Sequence, residues 1–265
     1  MMNGGFAPWL LAGLMLLPQG ARCAPAADDI MQKNFFASKP KRLFSEVTMT
    51  LINERGETRQ RKLATTTALQ ANGIDSNMLV RFMAPADVKG TSFLEIEHSQ
   101  ADDDQWIYLP ALHKSRRLVS SNRKDSFIGS DFAYGDVLPP KVTLYVHKWL
   151  RDEAVDGQPC YVVESVPAND DVKRDYGYSR KITWVGQSSF HELKTDYYDV
   201  GGRLLKTQLV KDLVLLDPQA SRWMAKYKEM VNHQTRHKTV VTTDRYTADT
   251  LITPDTFSLR TLERD

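Results

Sequence analysis

Cysteine is nearly absent from this 265-residue chain, which has only Cys23 and Cys160. An excess of charge of one sign is also missing: 35 Lys and Arg stand against 33 Asp and Glu, for a formal net charge of +2. That balance gives no basis for a nucleic acid or a strongly anionic partner. After residue 17 no apolar run approaches the roughly 20 residues of a membrane helix. Catalytic signatures are missing as well. There is no Gly-x-Ser-x-Gly elbow, no glycine-rich phosphate loop and no His-Glu-x-x-His. His191-Glu192 comes nearest, but position 195 is Thr. His233 and His237 stand four apart, and Asp102-Asp103-Asp104 is an acidic run. Both read better as solvated segments than as metal ligands. No enzyme activity, metal or cofactor is expected.

What is present begins at the N-terminus. Residues 6–17 are apolar except for Pro8 and Gly13. As a helix they would extend about 18 Å, short of the roughly 30 Å of a bilayer core. Pro18-Gln19-Gly20 ends the run, and Ala24-Pro25-Ala26 supplies small residues for signal peptidase. Residues 1–26 therefore read as a cleavable export signal, although no Lys or Arg precedes Phe6. Lipidation at Cys23 is disfavoured because Arg22 occupies the place of a small residue. Cleavage would leave 34 basic and 33 acidic residues, 34 − 33 = +1, and Cys160 alone. A chain of that size buries enough surface to need no disulfide. Cys160-Tyr161-Val162-Val163 reads as a buried strand, with Cys160 a small core hydrophobe.

Strand patterns dominate the remainder, residues 27–265, which read as a single domain. A short helix is expected over 28–38, with Ile30, Met31, Asn34 and Phe35 on one face. Val47, Met49 and Leu51 alternate with polar neighbours at the period of a half-buried strand. Asn72-Gly73, Asp156-Gly157 and Gly201-Gly202 mark tight turns between strand-like runs. Residues 120–131 read as a polar loop, and 131–137 as a short helical turn. Over 221–231, Trp223, Tyr227 and Met230 have helical spacing, which predicts a helix there. About ten or eleven strands with no crossover helices predict a mainly β antiparallel meander with a few short α-helices. A sheet of that size can curl into a barrel or half-barrel.

Three stretches carry a resemblance. The first is Arg81-Phe82-Met83-Ala84-Pro85-Ala86-Asp87-Val88-Lys89-Gly90-Thr91. The second is Asp103-Asp104-Gln105-Trp106-Ile107-Tyr108-Leu109-Pro110-Ala111-Leu112, and the third is Ser126-Phe127-Ile128-Gly129-Ser130-Asp131-Phe132. In this order, with the tail 256–263, they closely resemble the outer membrane lipoprotein-sorting protein family, similar to LolA-type periplasmic carriers. One departure follows Phe132-Ala133-Tyr134, where the family usually places an acidic residue: here Gly135 precedes Asp136. The resemblance implies a strongly curved antiparallel sheet, an unclosed half β-barrel with helices covering its mouth. It also implies a periplasmic monomer whose apolar cavity takes the acyl chains of lipids or lipoproteins. An inner-membrane transporter of the resistance-nodulation-division (RND) type is the partner it suggests. The alternative is an adaptor that senses lipid or lipoprotein and signals to a membrane protein.

Alternation gives candidate cavity residues: Val47, Met49, Leu51, Met78, Val80, Phe82, Phe93, Trp106, Tyr108 and Trp184. Met83 and Met224 are added because methionine repacks readily around varied ligands. Leu112, Arg116, Arg117 and Phe127 are candidates for docking a membrane partner. Arg123 and Lys124 extend that basic region.

Overall fold

In the computed structural model, Met1, residues 26–137 and residues 141–264 are described. The expected export signal lies almost wholly outside them. Among the described residues, thirteen strands form one sheet. The first six are β1 (Arg42–Ile52), β2 (Thr58–Leu69), β3 (Ser76–Ala84), β4 (Ser92–Ile96), β5 (Asp104–Leu109) and β6 (Lys114–Leu118). The others are β7 (Tyr145–Val155), β8 (Gln158–Pro167), β9 (Tyr178–Gly186), β10 (Glu192–Asp199), β11 (Leu204–Asp217), β12 (Arg222–Asn232) and β13 (Lys238–Ala248). Helices α1 (Ala27–Ala37), α2 (Asp170–Tyr176) and α3 (Leu259–Leu262) are short.

Every pairing is antiparallel, in the order β6-β5-β4-β3-β2-β1-β13-β12-β11-β10-β9-β8-β7. Two meanders are thus joined where β1 meets β13. The sheet is not closed: β6 and β7 are its two edges, although they are consecutive in the chain. Laid flat, thirteen strands would span roughly 58 Å at about 4.8 Å per strand. Yet Phe93 of β4, Leu118 of β6, Tyr145 of β7, Tyr178 of β9 and Met230 of β12 belong to one buried cluster. The sheet must curl to bring them together. Between these edges the described residues 119–137 cross the inner face, and Phe127, Phe132 and Tyr134 join the cluster.

Local chemistry supports the turns. Asp156 and Gly157 both have positive φ, 48° and 78°, as a two-residue hairpin of the twist-compatible kind requires. On β1, Leu43, Ser45, Val47 and Met49 are buried while their neighbours are half-buried. The opposite, outer face carries its own cluster. Leu79, Leu94 and Tyr108 lie under Phe257 and Leu262 of the C-terminal tail, and Arg81 donates to the Thr261 carbonyl at 2.5 Å.

Three sequence expectations are corrected. Residues 221–231 are not helical: β12 pairs with β11 and β13, placing Met230 opposite Gln208 and Thr239. The helical spacing of Trp223, Tyr227 and Met230 is outweighed by backbone hydrogen bonding to two neighbouring strands. The strand total is thirteen, above the ten or eleven expected. Helix α2 was not expected, although Asn169 caps it by accepting from Val172 N at 3.0 Å, and Gly177 ends it with φ 74°.

Helix α1 has Asp28 and Asp29 in its first turn, where they complement its dipole; its N-cap is Ala26. Ile30 packs on Val163 and Val185, and the Asn34 amide donates to the Phe190 carbonyl at 2.9 Å. Just past the helix, Lys39 is buried in an ion pair with Glu97 at 2.5 Å. Lys39 also donates to the Ile74 carbonyl, and Ser76 N donates to Glu97, both at 2.8 Å. Removing one member of such a pair leaves a buried charge uncompensated. Glu97→Gln is expected to cost about 3–5 kcal/mol in urea unfolding. The double variant Lys39→Met/Glu97→Gln should recover most of that loss. Additive losses would show that the pair does not act as a unit.

Candidate functional site

The inner face is not uniform. Where β1, β2, β3, β12 and β13 contribute, its side chains are mostly apolar, with Ser45, Thr65, Thr243 and Lys228 among them. Val47, Met49, Leu63, Met78, Val80, Met224 and Val241 line a cavity of about 220 Å³, and Phe127, Phe132 and Val137 of the crossing segment border it. Where β8 to β11 contribute, the buried side chains include Ser165, Lys181, Thr183, Thr195, Tyr197, Lys206 and Gln208. A second cavity of about 170 Å³ shares Leu43, Met78, Val137 and Met224 with the first and reaches Lys181, Glu192 and Tyr197. A third, about 50 Å³, continues past Lys181 to Met31, Asn34 and Phe35 of α1. Apolar and polar spaces therefore adjoin in series.

Asp136 fixes the crossing segment between them. Its side chain is fully buried. It accepts from Lys206 at 2.7 Å, from the Tyr178 hydroxyl at 3.0 Å and from Ala133 N at 2.8 Å. Burial alone would raise its pKa. The Lys206 and Lys181 ammoniums outweigh burial and hold the carboxyl below its ordinary value. Asp131 adds a second tie, accepting from the Thr239 hydroxyl at 2.7 Å. Gly135, the departure noted in the sequence, has a packing reason. A Cβ there would lie 2.8 Å from Cδ1 of Tyr176. Arg123 also packs against Tyr176, with its guanidinium 5.4 Å from the ring centre, and meets Asp103 at 3.5 Å.

A further buried acid lies on β4. Glu95 shares the inner face of β4 with Phe93, and Gln105 donates to it at 2.8 Å. Its other oxygen has no partner among the described residues. Burial raises its pKa to about 8, against the opposing Gln105 hydrogen bond and with Asp103 and Glu97 adding to the rise.

The sequence candidates separate on this geometry. Val47, Met49, Met78, Val80 and Met224 line the apolar cavity. Phe82 and Phe93 belong to the same inner cluster but are packed solid beneath Phe127, whose ring lies 6.2 and 5.4 Å from theirs. Leu51 borders a separate recess with Arg59, Arg61 and His237. Trp106, Tyr108 and Trp184 are corrections. Strand alternation turns Trp106 and Tyr108 outward to the cluster under the tail. It turns Trp184 to a cluster with Cys160 and Val162. Met83 is 48% exposed and lines none of these spaces.

Among the docking candidates, Leu112 is 62% exposed and Arg116 and Arg117 are exposed on edge strand β6. Phe127 is a correction, because it is buried in the inner cluster. Arg123 is buried too, which removes it from the basic surface. His233 and His237 lie in the β12–β13 hairpin, not on a helix. Sequence reasoning missed Asp136, Lys181, Lys206 and Glu95. The adjacent Gly135-Asp136 was a signal for the first, and isolated charges inside strand patterns were a signal for the others.

A family model described only as "Uncharacterized protein" matches residues 75–264. No curated protein matches the chain. Three solved structures are similar. One is a domain from Vibrio parahaemolyticus provisionally designated an outer membrane lipoprotein-sorting protein. It is 30% identical, with a TM-score of 0.81 over 90% of this chain and 98% of that one. A DUF1329 family protein from Desulfovibrio piger is 27% identical, with a TM-score of 0.80 over 89% and 97%. A LolA superfamily protein from Nitrosomonas europaea shares the fold at 21% identity, with a TM-score of 0.67 over 90% and 100%. The chain belongs to the outer membrane lipoprotein-sorting protein family and has the LolA-like fold.

Two consequences are testable. Gly135→Ala should destabilise the protein by about 1–3 kcal/mol through overpacking. The penalty should largely vanish in a Tyr176→Ala background, as read from urea midpoints. For Glu95, the folded state holds the proton more tightly than the unfolded state, whose carboxyl titrates near its ordinary 4.5. The associated stability is complete below that value and is lost as pH rises toward about 8. Glu95→Gln should therefore match the parent near pH 4 and exceed it by a few kcal/mol at pH 9. A constant difference across that range would refute the buried-acid assignment.

Proposed function

We propose that this member of the outer membrane lipoprotein-sorting family is a periplasmic carrier that holds acyl chains in its inner-face cavity. The observation that carries the proposal is the apolar cavity between β1–β3, β12–β13 and the crossing segment. It lies on the inner side of a sheet left open between β6 and β7. Export by residues 1–26 and a single domain over 27–265 are parts of the same proposal. No helix among the described residues is long and apolar enough to cross a membrane.

An acyl chain gains about 0.8 kcal/mol for each CH₂ it buries. Sixteen carbons therefore represent on the order of 12 kcal/mol between water and a fully apolar site. A carrier competes with membranes for that chain and must release it again, so its lining has to adapt. Met49, Met78 and Met224 line the cavity, and unbranched thioethers repack at low cost. Each of the three spaces is smaller than the roughly 300–1,000 Å³ of typical ligand sites. An occupant would use them in series, or widen them by shifting the crossing segment. Handover involves an RND-type inner-membrane transporter in this proposal. The surface offered for it is exposed Leu112 beside Arg116 and Arg117, at the free edge of the sheet.

Native mass spectrometry of protein purified from its own periplasm tests the reading. A bound lipid is expected, released by organic extraction. Val47→Trp should fill the cavity and reduce lipid occupancy at least several-fold while leaving the β-sheet circular dichroism intact. A lipid-free parent protein, or undiminished lipid in the folded variant, would count against the proposal.

A further inference from the structure

At the polar end of the inner face, the Lys181 ammonium and the Tyr145 hydroxyl lack a hydrogen-bond acceptor among the described residues. Lys181 on β9 is only 7% exposed, yet it lines both the 50 Å³ and the 170 Å³ cavities. Among the described residues its ammonium makes no hydrogen bond and no ion pair. It lies instead 4.9, 5.5, 5.1 and 5.3 Å from the ring centres of Tyr145, Tyr176, Tyr178 and Tyr197. Tyr145 lines the smaller cavity, and its buried hydroxyl has no partner among the described residues either.

Ring faces attract a cation, but they do not replace the acceptors that an ammonium's three N–H groups require. Neither nearby carboxylate is within hydrogen-bond distance of Lys181. Asp136 takes Lys206, Tyr178 and the Ala133 amide. Glu192 accepts from Gln208 at 2.8 Å. The ammonium feels the charges of Asp136 and Glu192 but has no hydrogen-bond acceptor among the described residues. Burial lowers the Lys181 pKa, opposed by Asp136 and Glu192. What Lys181 lacks is an acceptor at hydrogen-bond distance.

We infer that Lys181, together with Tyr145, receives the anionic head group, a carboxylate or a phosphate, of an amphiphile whose chain occupies the apolar cavity. This rests on the carrier reading above. The spaces adjoin in the required order. Lys181, Glu192 and Tyr197 border both polar cavities, while Met78, Val137 and Met224 border both the middle and the apolar one. A head group at Lys181 therefore has a route for its chain past Met78 and Met224. A neutral head group would offer the ammonium a weaker hydrogen bond than an anion does.

The test is calorimetric titration of the delipidated protein with palmitate, palmitoyl lysophosphatidic acid and hexadecanol. At least one of the two anions should bind tenfold or more tightly than hexadecanol. The better anion identifies the head group as carboxylate or phosphate, and either result supports the inference. Lys181→Met should reduce the advantage of the anions over hexadecanol to less than twofold. Tyr145→Phe keeps the ring, provides a second variant should the first fail to fold, and should weaken the anions several-fold. Equal binding of all three ligands by the parent protein would overturn this inference while leaving the carrier reading intact. Anion preference that survives in the folded variants would do the same. Binding of none of the three would overturn both.

Discussion

Asp136 accepts from an ammonium, a phenol and a backbone amide at once, with its side chain wholly out of water. The fold makes such a contact necessary. Edge strands β6 and β7 are consecutive in the chain, and the described residues 119–137 between them cross the inner face. A crossing segment brings polar backbone into an apolar space, and each such group needs a partner. Asp136 satisfies the Ala133 amide and ties the segment to β9 and β11. Asp131 ties it to β13. Gly135 lets the segment come close to Tyr176. The position of Phe127, Phe132 and Val137 over the cavity follows from these ties.

The division of the inner face has a topological origin. The N-terminal meander and the last two strands supply Val, Leu and Met to one wing. The C-terminal meander from β8 to β11 supplies Lys, Thr, Gln and Tyr to the other. Because the sheet curls, the two wings border one another across a short distance. An amphiphile suits such a space better than a pure hydrocarbon, because buried donors without acceptors are expensive. The same economy governs the Lys39–Glu97 pair, where each charge is tolerated because the other is present.

Much of the fold was legible because a half-buried strand has a period of two. Val47 and Met49 were placed on one strand face by alternation alone, and both line the cavity. Alternation does not say which face is inner. Trp106, Tyr108 and Trp184 sit in strands that were correctly recognised, yet they face the outer clusters. Large aromatic side chains are needed on both faces when a tail covers one of them. Strand β12 was misread because Lys226 and Lys228 interrupt the alternation that Met224 and Met230 begin. Lys228 nonetheless borders the cavities beside Met224. Phe127 was read as surface because its neighbours in sequence are polar; its burial is due to strands β3 and β4 beneath it.

The sequence by itself determined the antiparallel, mainly β class, the hairpin turns and the family, because these depend on local period, on residues that tolerate positive φ, and on motifs in order. It left open the face that encloses the cavity and the partners of Asp136, Lys181, Lys206 and Glu95. Those were decided by the tertiary structure. Curling a thirteen-strand sheet brings residues as distant as Asp136 and Lys206 to 2.7 Å. A buried charge takes its character from neighbours that no local spacing specifies.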